Sequence, residues 1–245
     1  MVLGTGADVL SLSSIQTLLD VKRFHSFTHG ESNNMSLFTR STQIIALAGL
    51  FALAVGTVSA QVVAEDRATC DRTYKPQVGQ EGKDVVWVPT PDEVVQRMLQ
   101  VAKVTPKDIV YDLGAGDGKI AIAAGKLGAT SIGIEYNPDM AKLAQCYVQA
   151  EKLTGKTRIV QGDVFESDFR DATVVTMYLL PELNVRLLPK LLKDLKPGTR
   201  IVSHAFQMGT WKPEQTLDVG GRMIYFWTIP AAGTPSYAAA IAASK

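Results

Sequence analysis

Val110-Tyr111-Asp112-Leu113-Gly114-Ala115-Gly116-Asp117-Gly118 decides how the rest of this chain is read. A short β-rich run leads into three glycines at alternate positions, and a helical pattern with Ile120, Ile122, Ala123 and Leu127 follows at once. Glycine admits positive φ and lets a ligand approach bare backbone. The spacing is GxGxG, unlike the GxGxxG of dinucleotide folds, and no GK[ST] follows, which excludes a P-loop. Asp112 ends the strand, where a carboxylate can meet a cationic or hydroxyl-bearing ligand.

Outward from this stretch, β-rich and helical segments alternate for about 110 residues. Upstream, Thr90-Pro91-Asp92-Glu93 reads as a capping box opening a helix with Val94, Val95, Met98, Leu99 and Ala102 on one face. Downstream, Ser131–Glu135 is a second strand, and Asn137-Pro138 caps a helix through Met140, Leu143, Ala144, Tyr147 and Val148. Thr157–Gln161 and the apolar Ala172–Tyr178 are the third and fourth strands. Pro181 opens a leucine-rich helix, closed by Lys196-Pro197-Gly198, and Thr199–His204 is the fifth strand. Gly220-Gly221 joins Glu214–Val219 to Arg222–Thr228 as a hairpin. Right-handed crossovers make such a chain a parallel sheet with helices on both faces. The expected fold is α/β and Rossmann-like: a mostly parallel seven-stranded sheet with an antiparallel C-terminal hairpin.

Ligands of such sheets bind beyond the carboxyl ends of the strands, and three acids fall there. Besides Asp112, Glu135 ends the second strand, placed to accept hydrogen bonds from two ribose hydroxyls. Asp163, in Gln161-Gly162-Asp163-Val164-Phe165 after the third strand, can accept from an adenine amino group, with Val164 or Phe165 flanking the ring. Each acid alone reads equally well as a cap or a solvated loop; three at successive strand ends are hard to dismiss.

The runs DLGAGDGK, GIEYNP, QGDVF and VVTMYLLPELN resemble the motif series of class I methyltransferases, over roughly Val86 to Pro230. With VWVPTPDEVVQRML ahead of the glycine loop, they resemble more narrowly the protein-lysine methyltransferases of the ATP-synthase c-subunit and adenine-nucleotide-translocase kind and their bacterial relatives. The resemblance implies S-adenosylmethionine as cofactor, with Asp112, Gly114, Gly116, Gly118, Glu135, Asp163 and Val164 on the cofactor side. It implies a protein acceptor, a membrane-protein lysine among the options, or a small molecule. Methyl transfer from a sulfonium is an in-line displacement, so alignment and a dry site are the protein's main tasks. Tyr178 and Glu182, at the exit of the fourth strand, are the acceptor-side candidates; Glu182 reads equally well as an acid favoured in the first turn of a helix. This segment departs from the NPPY-type motif of amide and adenine methyltransferases. His204 is expected as a core or hydrogen-bonded histidine, and Trp87 and Trp211 as hydrophobic cover or a substrate wall. The rival readings are a small-molecule or lipid acceptor, and an inactive cofactor-binding module.

Bulk properties agree with one domain behind a leader. The chain has 245 residues and a net charge of +1, which gives no indication of a nucleic-acid partner. It has two cysteines and no CxxC or Cys/His cluster, so no metal site is expected. Cys146 is expected as a buried free thiol on a helix, with nothing in the sequence supporting a bridge to Cys70. Residues 1–60 read as a leader. An uncharged run, Ile44–Val58, follows Arg40 and precedes Val58-Ser59-Ala60, as in a signal peptide cut after Ala60, with an uncleaved membrane anchor as the alternative. Met35 is a second candidate start. Residues 61–83 read as linker, 84–230 as the domain and 231–245 as a frayed tail. Export or anchoring sits in tension with a donor made in the cytosol.

Overall fold

The strands Ile109–Leu113 and Thr157–Gln161 end at Gly114 and Gly162, where glycine interrupts the apolar pattern. In the computed structural model, which describes residues 66–244, β1 (Ile109–Leu113) lies at the centre. On one side β1 pairs in parallel with β2 (Thr130–Glu135), which pairs with β3 (Thr157–Gln161); on the other it pairs with β4 (Val174–Met177), which pairs with β5 (Arg200–His204). The hairpin β6 (Gln215–Val219) and β7 (Arg222–Thr228) closes that side antiparallel, giving the order β3-β2-β1-β4-β5-β7-β6. The order reverses between β1 and β4, and there a crevice opens at the carboxyl ends of the strands.

Helices cover both faces. α2 (Asp92–Val101) and α3 (Lys119–Lys126) pack Val94, Met98 and Ala124 onto Val110, Val174 and Val202. On the other face, α5 (Pro181–Asp194) packs Leu187, Leu188 and Leu191 onto Val175, Met177 and Ile201. The helix α4 (Pro138–Ala150) is capped by Asn137, whose side chain accepts from the N–H groups of Asp139 and Met140.

Four expectations are corrected. The described part of the supposed linker contains a helix, α1 (Arg67–Thr73), packed on α4. Cys146 is not a free thiol: it is bonded to Cys70, 76 residues away. Arg67 pairs with Glu151 at 2.8 Å, and Tyr147 hydrogen-bonds Asp71. These partners are distant in sequence, so no local pattern announces α1. The supposed frayed tail contains α6 (Pro235–Ala243), capped by Thr234 and with Ala240 fully buried against the core. Thr90, read as a cap, makes no cap bond; α2 follows Pro91 uncapped, and the Thr90 hydroxyl bonds His204 instead. The leader, its apolar run 44–58, Met35 and the cleavage site lie outside the described residues. No helix among the described residues is long and apolar enough to cross a membrane.

Candidate active site

The crevice is a cavity of about 320 Å³, within the range of small-molecule sites. Its floor is the glycine loop. Gly116 has φ +55°, and a Cβ there would lie 2.8 Å from Trp87 Nε1, so an indole rests directly on bare backbone. The Gly116 N–H donates to Glu135 Oε2 and the Asn137 N–H to Glu135 Oε1, both at 2.8 Å. The acid at the end of β2 is therefore held before any ligand arrives. Desolvation raises its pKa.

Asp112 is 2% exposed, and Thr176 Oγ1 donates to its Oδ1 at 2.8 Å. Burial, with Asp117 and Glu135 nearby, pushes its carboxyl up to about 7. A buried acid poised there has much to gain from a cationic or hydrogen-bond-donating ligand. Asp163 accepts from the Phe165 N–H and from Lys83 Nζ, the latter at 2.6 Å; that lysine holds its pKa below the usual carboxylate range.

The sequence-predicted residues Asp112, Gly114, Gly116, Glu135, Asp163, Val164 and Tyr178 all line this cavity, together with Phe165. Two predicted residues are not on its wall. Gly118 is buried beside α4, where a Cβ would lie 3.1 Å from Ala144 Cβ; its φ of +76° turns the loop into α3. It packs the loop rather than facing the cavity. Glu182 is exposed in the first turn of α5, outside the cavity lining.

Tyr178, directly after β4, has its ring centroid 4.0 Å from that of His204 and 6.0 Å from that of Phe206. His204 is a buried, hydrogen-bonded histidine: its Nδ1 lies 3.2 Å from Thr90 Oγ1, and burial pushes its pKa down to about 4. Ala205 turns the chain with φ +65°, so that His204 faces inward while Phe206 reaches the cavity. Trp211 is buried, away from the cavity, its carbonyl accepting from Trp227 Nε1 at 3.0 Å. Of the two tryptophans, Trp87 is the wall and Trp211 is cover.

Three contributors escaped the sequence reading. Lys83 is the tip of a small hairpin closed by the Glu81–Val86 bridge and by the bond from the Trp87 N–H to the Gln80 carbonyl. From there it reaches Asp163 and the Tyr136 ring, 4.5 Å from its centroid. This hairpin and the segment to Thr90 roof the cavity; the expected linker 61–83 ended in the middle of the hairpin, so its pairing went unread. Asn184, fully buried in α5, holds the Phe206 and Gln207 carbonyls, each at 3.3 Å from Nδ2. A lone amide inside a leucine stripe was its sequence signal.

These features fit S-adenosylmethionine. The pre-held Glu135 suits a ribose diol, and buried Asp112 suits a cationic or donor group. Known proteins point the same way. The family model for the ANTKMT methyltransferase domain matches residues 112–215. A protein-lysine N-methyltransferase of Saccharolobus islandicus is 48% identical over 137 residues, 55% of this chain and 85% of the relative. The adenine nucleotide translocase lysine N-methyltransferase of Mus musculus is 29% identical over 140 residues, and the match spans 57% of this chain but only 61% of the relative. The crystal structure of an RNA methyltransferase from Salinibacter ruber, in complex with S-adenosyl-L-homocysteine, is 47% identical; the match covers 60% of this chain and 97% of that one, with a TM-score of 0.59.

Proposed function

The chain belongs to the protein-lysine N-methyltransferase family of S-adenosylmethionine-dependent methyltransferases, and from that premise we propose that its acceptor is the ε-amine of a protein lysine. The observation that carries this reading is the charge of the cavity lining. Six acids line it against two lysines: Glu81 and Asp84 stand exposed at the mouth, while Asp112, Asp117, Glu135 and Asp163 lie deeper, with Lys83 paired to Asp163 and Lys119 to Asp92. A mouth of this sign draws in a cationic side chain and repels a phosphate backbone.

When bound, the cofactor supplies an electrophilic methyl group on a sulfonium. The protein's part is positioning and exclusion of water. Glu135 would hold the ribose side of the cofactor and Asp112 a donor group, and the hairpin over the cavity limits access of solvent. On the acceptor side, Tyr178, Phe206, Leu179 and Leu183 form an apolar and aromatic wall. Such a wall disfavours the ammonium form of a lysine, so the acceptor gives its proton to water and presents a lone pair.

The Cys70–Cys146 bridge supports an oxidising compartment, in line with residues 44–58 acting as an export signal or a membrane anchor. A membrane-protein lysine is then an acceptor within reach.

A second reading, an RNA acceptor, draws on the name of the Salinibacter relative. One experiment separates the possibilities. The full chain is incubated with methyl-labelled cofactor and, separately, with protein, RNA and lipid fractions, and the products are digested and analysed by mass spectrometry. Methyl-lysine is the expected product. Label in nucleotides or lipid alone removes the lysine reading. No transfer by a protein that still binds S-adenosylhomocysteine leaves an inactive binding module.

A further inference from the structure

Seven large hydrophobic side chains are strongly exposed among the described residues, and four of them, Val86, Val88, Tyr136 and Leu180, line this one cavity. Isolated exposed valines need no explanation. A cluster at the mouth of a site does, because water-exposed apolar patches mark places where something binds. The Lys83 ammonium sits over Tyr136, which leaves Val86, Val88 and Leu180 at 53%, 40% and 38% exposure.

Their arrangement follows from the backbone. Val86, Trp87 and Val88 are consecutive in an extended segment, where alternate side chains point to opposite sides. Trp87 turns inward onto Gly116, which directs both valines outward to the rim. Leu180 is the residue before α5 and lines the same cavity. Acids accompany both sides: Glu81 and Asp84 on the hairpin, and Glu182 two residues beyond Leu180. Glu182, outside the cavity lining, has a place in this rim.

Resting on the lysine-acceptor reading, we infer that this rim is an acceptor-docking surface whose occupant is a polypeptide segment with aliphatic residues immediately flanking the target lysine. The acids attract the cationic segment; the valines and Leu180 cover its aliphatic neighbours. Acidic flanks are rejected by the same carboxylates.

The test uses the full chain, the methyl donor and three peptides with one central lysine, flanked by valine and leucine, by serine and glycine, or by glutamate. Burying the two valines against an aliphatic flank predicts a kcat/KM about tenfold higher than for the serine–glycine peptide, with the difference in KM. The glutamate peptide is the poorest. In the Val86→Ser/Val88→Ser protein, with folding verified by its thermal transition, the aliphatic-to-serine ratio falls to near one. Equal kcat/KM for the first two peptides with the unaltered protein, or an unchanged ratio in the double variant, overturns the docking inference while leaving lysine as acceptor. Methylation of RNA with every peptide untouched removes the lysine reading itself and the inference with it.

Discussion

Opening the Cys70–Cys146 bridge, by reductant or by Cys146→Ser, loosens α1 and the base of the hairpin that roofs the cavity. The bond closes a loop with a sequence separation of 76 residues, for which the chain-entropy estimate is about 4.5 kcal/mol and measured effects are usually about 2–4 kcal/mol. The lower part of that range is the better expectation, because α1 keeps its Arg67–Glu151 and Tyr147–Asp71 contacts. For a domain of this size each kcal/mol moves the midpoint by about 2–4 °C, so thermal unfolding shifts down by about 4–12 °C. Calorimetry of the full chain with and without reductant measures this, and the Cys70→Ser/Cys146→Ser protein serves as a control that reductant leaves unmoved. S-adenosylhomocysteine affinity falls in parallel, since Tyr74, just past α1, accepts from Gln80 Nε2 at the root of the hairpin. The reasoning is refuted by identical midpoints in the two conditions, or by two titratable thiols in native protein prepared under oxidising conditions.

Other perturbations probe the crevice itself. Asp112 has its folded-state pKa raised from 3.8 to about 7, so the folded state holds the extra proton and this group's contribution to stability falls as pH rises through that window. Asp112→Asn flattens that fall and raises the unfolding midpoint at pH 7.5, while cofactor binding measured by titration calorimetry weakens. His204 acts in the opposite sense: its pKa is lowered from 6.5 to about 4, so stability is lost as pH falls through that interval, and His204→Gln removes this dependence. Because His204 also backs the Tyr178 ring, His204→Leu is expected to slow methyl transfer while leaving S-adenosylhomocysteine affinity unchanged; a parallel loss of affinity would argue for general disruption. Lys83→Met releases the hairpin tip from Asp163, and dissociation of S-adenosylhomocysteine in stopped flow speeds up by about twofold. Its salt dependence also disappears, whereas a rate still rising with salt would show that the Lys83–Asp163 pair does not govern release.

The sheet was legible because each strand carries its own evidence, an apolar run bounded by turn residues. Arg222–Thr228 and Thr157–Gln161 coincide with β7 and β3, while Ala172–Tyr178 shortens to Val174–Met177, where pairing with β1 and β5 ends. The cavity-lining acids Asp112, Glu135 and Asp163 were legible for the same reason, since each lies at or just beyond the end of a strand. What the sequence concealed depends on contacts far along the chain. α1 is seven residues long and is held by partners on or just beyond α4. Lys83 meets Asp163 across 80 residues. Capping shows how far local rules reach. Two helices follow a Thr-Pro pair, α2 after Thr90-Pro91 and α6 after Thr234-Pro235; the second pair caps α6, which composition had suggested was tail, and the first does not cap α2, because a buried histidine offers Thr90 a better partner.

The docking of α1 onto α4 also bears on the order in which the chain can be completed. Arg67, Cys70 and Asp71 are synthesised well before Glu151, Cys146 and Tyr147, their partners. At about 5–20 residues per second, the first group waits several seconds or more for the second, and α4 itself needs β2 and β3 beneath it. During synthesis or passage through a membrane, the opening segment of the domain therefore stays unpaired and reactive at Cys70 until half the sheet exists. The segment that leads into the roof over the active site is thus made before the sheet and fastened only once β3 is in place.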